Sequence, residues 1–340
     1  MATIFYPPTI PWHRLRQRPH QMLRYLARLG HKCVYHDPGT SGRKSPVNEV
    51  EPGLSVLSRD AHPAVVQPQS PVVLWITLPD HHRLAGGIYG EELLVFDLCD
   101  EPTEEFEYWK PGLDGAFSKA SLVFAASYLL YEKYKNIHPN VYYVPNGADY
   151  EAFQFSGLRP RDFPQRPGPV AGFHGALASW IDWNLVYHVA RRLPRWNFVF
   201  IGPLLNITKD KLPYGQNIFF IKEKPFEELA RYVNHFDVGI IPFQLSEMTK
   251  YSSPIKLYEY LACGKPVVSS PIYEVAMCPL TRIANTAAEF ADMLEKALAD
   301  STANPGLSKR FKSWAERNSW EKRSLWVDKI IKDTLAKGLG

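Results

Sequence analysis

The chain has 340 residues, of which 45% are hydrophobic and 22% are charged, and its formal net charge is +4. This composition excludes an intrinsically disordered chain, and so small a net charge argues against a nucleic-acid-binding protein. The length exceeds what one ordinary hydrophobic core accommodates and predicts two domains.

The first residues, MATIFY, have no basic region ahead of an apolar core, so they are interpreted as a β-strand and not as a signal peptide. No run of about 18 apolar residues occurs, and no membrane-spanning helix is predicted. The four cysteines lie far apart without a CxxC spacing, which argues against a disulfide framework and a zinc site. Such a chain suits the reducing cytoplasm.

Short apolar runs alternate with helical segments in the first half of the chain. The runs are mostly continuous, as in a parallel sheet that is covered on both faces. A helix is predicted over Pro19–Leu29, with proline at its start and Gly30 as its stop. The predicted strands are Thr3–Tyr6, Lys32–His36, Val72–Ile76, Leu93–Phe96, Leu122–Ala125 and Val141–Val144.

Phe155–Pro169 is rich in proline, arginine and glycine and is the predicted linker. A second α/β series follows, and the chain ends in a polar helical segment over Ser308–Leu335. Its predicted strands are Val170–Phe173, Phe198–Ile201, Ile218–Ile221, Val238–Pro242 and Pro266–Ser269. Its predicted helices are Asp182–Leu193, Pro225–His235, Pro254–Cys263 and Ala287–Ala299. The pattern indicates two doubly wound α/β domains that face a cleft, with ligands beyond the carboxyl ends of the strands.

The most informative segment begins at Tyr251 and reads YSSPIKLYEYLACGKPVV. Ser253 is a natural N-cap and Pro254 a natural first helical residue, so Lys256 falls in the first turn. A cation there is unfavourable by roughly 0.3–1 kcal/mol unless an anion is bound at the helix start. The segment therefore predicts a phosphate site made by the ammonium of Lys256 and the amides of Ile255 and Lys256.

Glu259 lies three residues beyond Lys256 on the same helical face. Its carboxylate can accept two hydrogen bonds from a vicinal diol such as a ribose. The alternative interpretation is an exposed Lys256–Glu259 ion pair, which would contribute almost nothing to stability.

The loop Pro7–Arg18 is long for a strand-to-helix connection, and long loops are often functional. It contains Trp12 and several arginines and is followed by His20. We expect Arg18 and His20 to approach a bound phosphate or the second substrate. The alternative is that Trp12 packs into the core and the arginines are solvated.

The predicted strand Leu93–Phe96 is followed by acidic residues. A carboxylate at the carboxyl end of a strand suits a general base, and Asp100 is the first candidate and Asp97 the second. Because four glutamates follow closely, a solvated acidic run is the alternative.

The run PIKLYEYLACGKPVV resembles the donor-site signature of GT-B-fold glycosyltransferases related to family 4, also called group 1. The segments VPNGAD at Val144 and FHGAL at Phe173 are similar to the interdomain segment and the glycine-rich donor turn of that family. The family signature has a second glutamate where this chain has Tyr251, so the two-glutamate motif is broken. Many family members also have a basic residue shortly after the glycine-rich turn, which this chain lacks.

The resemblance implies a GT-B fold and transfer of a sugar from a nucleotide donor, chiefly a UDP-sugar, to a glycan or lipid-linked acceptor. It implies an acceptor domain over 1–160, a donor domain over 168–318, and a final helix over 319–340 that crosses back to the first domain. The catalytic candidates are Asp100, Asp97 and His20. The donor-site candidates are Arg18, His174, Gly175, Lys224, Ser252, Ser253, Ile255, Lys256 and Glu259.

Neither a metal nor another cofactor is expected, since the histidine pair His81-His82 lacks ligand spacing and GT-B enzymes generally neutralise the diphosphate with side chains and helix dipoles. Two other functions stay open: an epimerase acting on the sugar nucleotide, and a non-catalytic nucleotide-sugar-binding subunit. The basic residues between Arg14 and Lys32 predict peripheral contact with the inner face of an anionic membrane. The alternative is a solvated helix face.

Overall fold

The computed structural model describes residues 1–39, 45–154 and 157–338, and the chain divides into two units. Unit 1 consists of Met1–Asn146 with Trp320–Gly340, and unit 2 consists of Gly147–Ser319. Among the described residues, no helix combines the length and apolarity needed to cross a membrane.

Unit 1 is built on an eight-stranded sheet in the order β3-β4-β2-β1-β5-β6-β7-β8. The strands are β1 (Thr3–Tyr6), β2 (Lys32–His36), β3 (Val47–Glu51), β4 (Leu54–Leu57), β5 (Val72–Ile76), β6 (Leu93–Leu98), β7 (Leu122–Ala125) and β8 (Val141–Tyr143). The α-helices are α1 (Arg18–Arg28), α2 (Leu113–Lys119), α3 (Tyr128–Tyr134) and the last helix of the chain, α11 (Trp320–Gly338). Strands β1, β2 and β5–β7 are buried along most of their length, which explains their continuous apolar sequences.

All neighbouring strands of this sheet are parallel except β3 and β4, which form an antiparallel pair at one edge. This pair was not predicted, because β3 is partly exposed and carries two glutamates. Pro52 and Gly53 between the two strands were the available turn signal.

The last helix, α11, belongs to unit 1 and packs against α1. Its buried side includes Val327 and Ile331. Nε2 of His31, just beyond α1, lies 2.8 Å from Oδ1 of Asp328 on α11. The final segment of the chain is therefore part of the first unit's core.

Unit 2 contains a six-stranded parallel sheet in the order β13-β11-β9-β14-β15-β16 and a short parallel pair, β10 with β12. The strands are β9 (Val170–His174), β10 (Leu177–Ala178), β11 (Asn197–Ile201), β12 (Leu204–Leu205), β13 (Ile218–Ile221), β14 (Val238–Ile241), β15 (Val267–Ser269) and β16 (Thr281–Ile283). The helices are α4 (Trp183–Arg192), α5 (Phe226–Val233), α6 (Glu247–Lys250), α7 (Ile255–Ala262), α8 (Tyr273–Ala276), α9 (Ala287–Ala303) and α10 (Gly306–Arg317).

The predicted domain boundary at residue 160 lies beyond the observed division between Asn146 and Gly147. Ala148 and Phe153 are buried in the core of unit 2, which explains why the chain joins that unit earlier. The linker interpretation of Phe155–Pro169 also needs correction. Phe155 and Ser156 lie outside the described residues, and Phe163 is buried against Tyr232 and Phe236.

Candidate functional site

The central feature of unit 2 is the carboxyl end of β9. This strand lies between β11 and β14, and the strand order runs outward from it in both directions. In an open parallel sheet, such a switch point leaves a crevice beyond the strand ends, where ligands bind. His174 is the last residue of β9, and Gly175 begins the turn that follows.

Two glycine turns meet at this position. Gly175 has φ +125° and Gly202, after β11, has φ +151°. A Cβ atom on Gly202 would lie 1.9 Å from the carbonyl oxygen of Gly175, and one on Gly175 would lie 2.5 Å from Cε of Lys256. The side chain of Lys256 therefore lies directly over the Gly175 turn, and the structure brings together two residues predicted from separate motifs.

Helix α7 begins at Ile255 with Pro254 as its N-cap. The prediction of Ser253 as N-cap was wrong by one residue, because Pro254 has the extended φ and ψ of the capping position. Ser253 is buried, and the hydroxyl of Ser252 donates to the carbonyl of Thr249, 2.7 Å away, in the preceding turn. Within the described chain, no side chain caps the start of α7. Lys256 occupies its second position.

His174 and Glu259 form a buried pair below Lys256. Nε2 of His174 lies 3.2 Å from Oε2 of Glu259, and the two side chains are 2% and 6% exposed. This burial excludes the exposed Lys256–Glu259 pair considered above.

Burial, with Lys256 acting in the same direction, lowers the pKa of His174 below its ordinary value, although Glu259 acts to raise it. Burial raises the pKa of Glu259, but His174 and Lys256 outweigh that effect and hold the pKa below its ordinary value. Glu259 is therefore a carboxylate at neutral pH, as recognition of a ribose diol requires.

Tyr260 contacts the His174 member of this pair. Its hydroxyl accepts a hydrogen bond from the backbone N–H of His174 at 3.2 Å, and its ring meets the imidazole edge-on at 5.4 Å. Neither Tyr260 nor Gly202 was predicted as a site residue from the sequence. The Gly202-Pro203 dipeptide directly after a strand was the available signal for the second turn.

Tyr251 stands where the related signature has its first glutamate. It is the C-cap of α6, and Nζ of Lys250 lies 5.2 Å from the centre of its ring. An aromatic ring therefore replaces a carboxylate in the turn before α7.

Lys224 is placed in the loop after β13, as predicted, but it contacts other protein groups. Its Nζ lies 2.5 Å from Oδ2 of Asp162 and 5.3 Å from the centre of the Tyr232 ring. The ammonium is held by this carboxylate within unit 2, and the donor-site role of Lys224 stays a prediction.

In unit 1, Arg18 and Asp97 are partners in one buried ion pair. Nε of Arg18 lies 2.9 Å from both carboxylate oxygens of Asp97, and Nη1 donates to Oδ1 of Asn146 at 3.2 Å. Trp75 also donates its indole N–H to Asp97 at 3.1 Å. Arg18 is 3% exposed and Asp97 fully buried. The pair joins α1 to β6, and the donor-binding role of Arg18 and the catalytic role of Asp97 stay predictions.

His20 is equally buried. It is 1% exposed and packs between Trp12 and Tyr35, with ring centres 5.1 and 4.9 Å away. Its Nδ1 accepts a hydrogen bond from the backbone N–H of Gln17, and burial, with Arg16 acting in the same direction, lowers its pKa to about 3. A neutral, packed imidazole caps α1, and its catalytic role stays a prediction. The alternative for Trp12, packing into the core, is the observed one.

Asp100 differs from Asp97 in lying beyond the strand and being partly exposed. Burial raises its pKa to about 6, although Arg18 acts in the opposite direction. A carboxyl group whose pKa lies near neutrality suits general-base chemistry. The next residue, Glu101, is buried and bound to Lys133 and Tyr134, so the segment is not simply a solvated acidic run.

The basic residues between Arg14 and Lys32 do not form one exposed face. Arg18 is buried, Arg24 pairs with Glu51 at 2.5 Å, and the guanidinium of Arg28 lies over the Tyr25 ring. The predicted membrane contact through this segment is therefore unsupported by its structure.

No group of three or more His, Cys, Asp or Glu residues within the described ranges is arranged to hold a metal ion. At the start of α7, positive charge comes from Lys256 and from the helix dipole.

Comparison with known proteins finds similarity to one family model over part of the chain. The model of the family described as Glycosyl transferases group 1 matches residues 168–300. A candidate teichuronic acid biosynthesis glycosyltransferase of Bacillus subtilis (strain 168), TuaH, is 32% identical over 135 residues. That match covers 38% of this chain and spans about a third (34%) of the relative's length.

Solved structures resemble almost the whole chain. Sucrose-phosphate synthase from Thermosynechococcus elongatus matches with a TM-score of 0.74 at 13% identity, covering 98% of this chain and 100% of that one. HepE from Anabaena, in complex with UDP-glucose, matches with a TM-score of 0.73 at 13% identity and the same coverage.

The fold is therefore that of the GT-B glycosyltransferases, and the predicted fold is confirmed. Residues 168–300, which contain the His174–Glu259 pair and Lys256, are the part of the chain that the group 1 family model matches. The resemblance inferred from the sequence is confirmed for this part of the chain.

Proposed function

We propose that this chain is a glycosyltransferase that transfers a sugar from a nucleotide donor, with UDP as the leaving group, to a glycan or lipid-linked acceptor in cell-surface polysaccharide synthesis. The observation that carries the proposal is the juxtaposition of Lys256, the Gly175 turn and the buried Glu259 carboxylate at the switch point of unit 2. HepE, a structural neighbour, binds UDP-glucose, and the relative TuaH is named for teichuronic acid biosynthesis.

In this proposal the leaving diphosphate lies at the start of α7. The ammonium of Lys256 and the amides of the first helical turn stabilise the charge that develops as the glycosidic bond breaks. Glu259 accepts hydrogen bonds from the ribose hydroxyls, and His174 keeps it ionised. No metal ion is required, because these groups already supply positive charge.

Asp100 is the proposed general base for the acceptor hydroxyl. With its pKa near 6, it is ionised at neutral pH and still able to take up a proton. The proposed location is the cytoplasm, at the inner face of the membrane, which suits the four free thiols.

The proposal is tested by incubating the purified chain with UDP-, GDP- and dTDP-glucose and measuring nucleotide release with and without a glycan acceptor. We expect UDP release that depends on the acceptor. A change in the sugar without an acceptor would identify an epimerase. Donor binding without any turnover would identify a binding subunit.

The role of Lys256 is tested with Lys256→Ala. Loss of a charge-assisted hydrogen bond weakens donor binding by about tenfold or more. The matched control is Lys296→Ala, an exposed lysine on α9 of the same unit. Equal donor affinity in the two variants would overturn the assignment of the diphosphate to α7.

A further inference from the structure

A second basic feature lies on α10, away from the start of α7. Helix α10 reads GLSKRFKSWAER and contains four cations and one carboxylate, Glu316. Burial, followed by the negative charge of Glu316, raises the pKa of the Tyr150 phenol. The helix therefore presents an excess of positive charge.

Part of α10 and the residues after α8 enclose a groove of about 510 Å³. Its lining includes Leu280, Lys309, Arg310, Ser313, Trp314 and Arg317. Asp and Glu are absent from the described lining residues. A groove that combines cations with an indole and an aliphatic wall is suited to an anionic group attached to an apolar one.

The cations of the groove are available to a ligand. Lys309, Arg310 and Arg317 are exposed, and none of them forms an ion pair with a described residue. Nη1 of Arg317 donates to Oγ of Ser313 at 2.9 Å, which fixes the guanidinium at the groove. By contrast, Arg282 on the nearby strand β16 is paired with Asp300.

Exposed apolar side chains lie close in sequence to residues that line the groove. Met277 is 50% exposed and Tyr273 on α8 is 41% exposed, and they precede the groove residues Pro279 and Leu280. Basic residues beside exposed apolar ones are the combination that binds anionic bilayer surfaces, where phosphate groups lie next to acyl chains. A free phosphate would make no use of Met277.

We propose that this α10 groove binds the phosphate groups of anionic phospholipids and holds the chain at a membrane surface. Guanidinium and ammonium groups bind the phosphate oxygens, and Trp314 lies at the level of the headgroups, where indoles are favoured. The groove differs from the Arg14–Lys32 segment, where Arg18 is buried and Arg24 is paired with Glu51 within unit 1.

The test is sedimentation of the full chain with vesicles of phosphatidylcholine alone or with phosphatidylglycerol added, without donor or acceptor, so that the result is independent of glycosyltransferase activity. We expect binding only to the anionic vesicles, weakening as salt rises. The triple variant Lys309→Gln, Arg310→Gln, Arg317→Gln should bind about tenfold to a hundredfold more weakly, since each basic residue near an anionic leaflet contributes roughly a factor of five.

The matched control is Arg192→Gln, Arg195→Gln, Lys211→Gln, which removes the same number of exposed charges from unit 2. This control should bind vesicles like the unchanged chain, and unchanged melting temperatures verify that both variants fold. Equal loss in the two variants, or no binding by the unchanged chain, would overturn the proposal. The proposal would also be overturned if millimolar glycerol phosphate released the chain from vesicles, or if the chain bound an acidic glycan but not vesicles.

Discussion

Nε2 of His174 lies 3.2 Å from Oε2 of Glu259, at a position where both side chains are almost completely buried. The two residues are the last of β9 and the fifth of α7, so the pair joins the sheet to the helix that carries Lys256. Removing the imidazole would leave a buried carboxylate without its nearest partner.

The first prediction concerns this pair. His174→Leu should lower the free energy of unfolding by about 3–5 kcal/mol at pH 7 and should weaken donor binding. His188→Leu, at an exposed position on α4, is the control and should change neither. Chemical denaturation and donor titration measure the two effects, and a variant as stable as its control would contradict the role assigned to His174.

The same pair should make stability pH-dependent. Both pKa values are lower in the folded chain than their ordinary values, so the unfolded chain binds more protons in that window. Stability should therefore fall as the pH drops below 6.5, the ordinary pKa of histidine, and the slope should be shallower in His174→Leu. Identical slopes would show that the pair does not titrate in this way.

Gly175→Ala should displace Lys256, because the added Cβ would lie 2.5 Å from Cε of that lysine and φ is +125°. We expect donor affinity to fall by about tenfold, as for loss of one charge-assisted hydrogen bond. Gly338→Ala, where the added atom has nothing within 4 Å, is the control. Calorimetric titration with UDP measures the change, and unaltered affinity would separate Lys256 from the diphosphate.

Asp100→Asn should reduce transfer by about a hundredfold or more while leaving donor affinity unchanged. In the unchanged chain the rate should rise with pH through about 6 as Asp100 loses its proton. Asp114→Asn, at an exposed position in the same unit, should retain the full rate and this pH profile. An active Asp100→Asn variant would exclude this carboxylate as the base.

The ionisation of Asp100 should also affect the stability of the chain, which can be measured without any enzymatic assay. Its pKa is raised from 3.8 to about 6 on folding, so its favourable contribution exists at low pH and is lost as the pH rises through about 6. Asp100→Asn should therefore be more stable than the unchanged chain at pH 8. Thermal unfolding at pH 4 and pH 8 tests the sign.

The Arg18–Asp97 pair should be strongly coupled. Arg18→Gln and Asp97→Asn should each cost about 3–5 kcal/mol, because each leaves a buried charge without its partner. The double variant should cost less than the sum of the two. A double-mutant cycle by denaturant unfolding measures the coupling, and simple additivity would contradict the pairing.

Transfer should continue at an unchanged rate in excess EDTA, because Lys256 and the start of α7 neutralise the leaving diphosphate in our proposal. Nucleotide release with and without the chelator measures this. A loss of rate that Mg²⁺ restores would show that a metal ion is required.

The sequence predicted the strands with the strongest apolar runs almost to the residue, including β1, β2, β5, β7 and β13. It missed β3, β10, β12 and β16, which are short or partly exposed and therefore have weak apolar patterns, and it also missed the buried four-residue strand β4. Local signals thus identify buried strands best.

In the candidate site, Gly175, Lys256 and Glu259 were predicted because each has a local reason for its residue type. The partners of Arg18, Asp97 and Lys224 could not be predicted in this way. Arg18 and Asp97 are 79 positions apart, and Lys224 and Asp162 are 62 apart, so only the folded chain reveals that they are paired. A charged residue near a motif can thus be a buried structural partner.

Trp314 of the α10 groove stacks on Tyr258 of α7 with ring centres 5.6 Å apart. The helix that begins at the proposed diphosphate site is thus also the helix on which the groove rests. Any effect of vesicles on donor affinity must be matched by an equal effect of donor on vesicle affinity, because the two binding equilibria are thermodynamically linked.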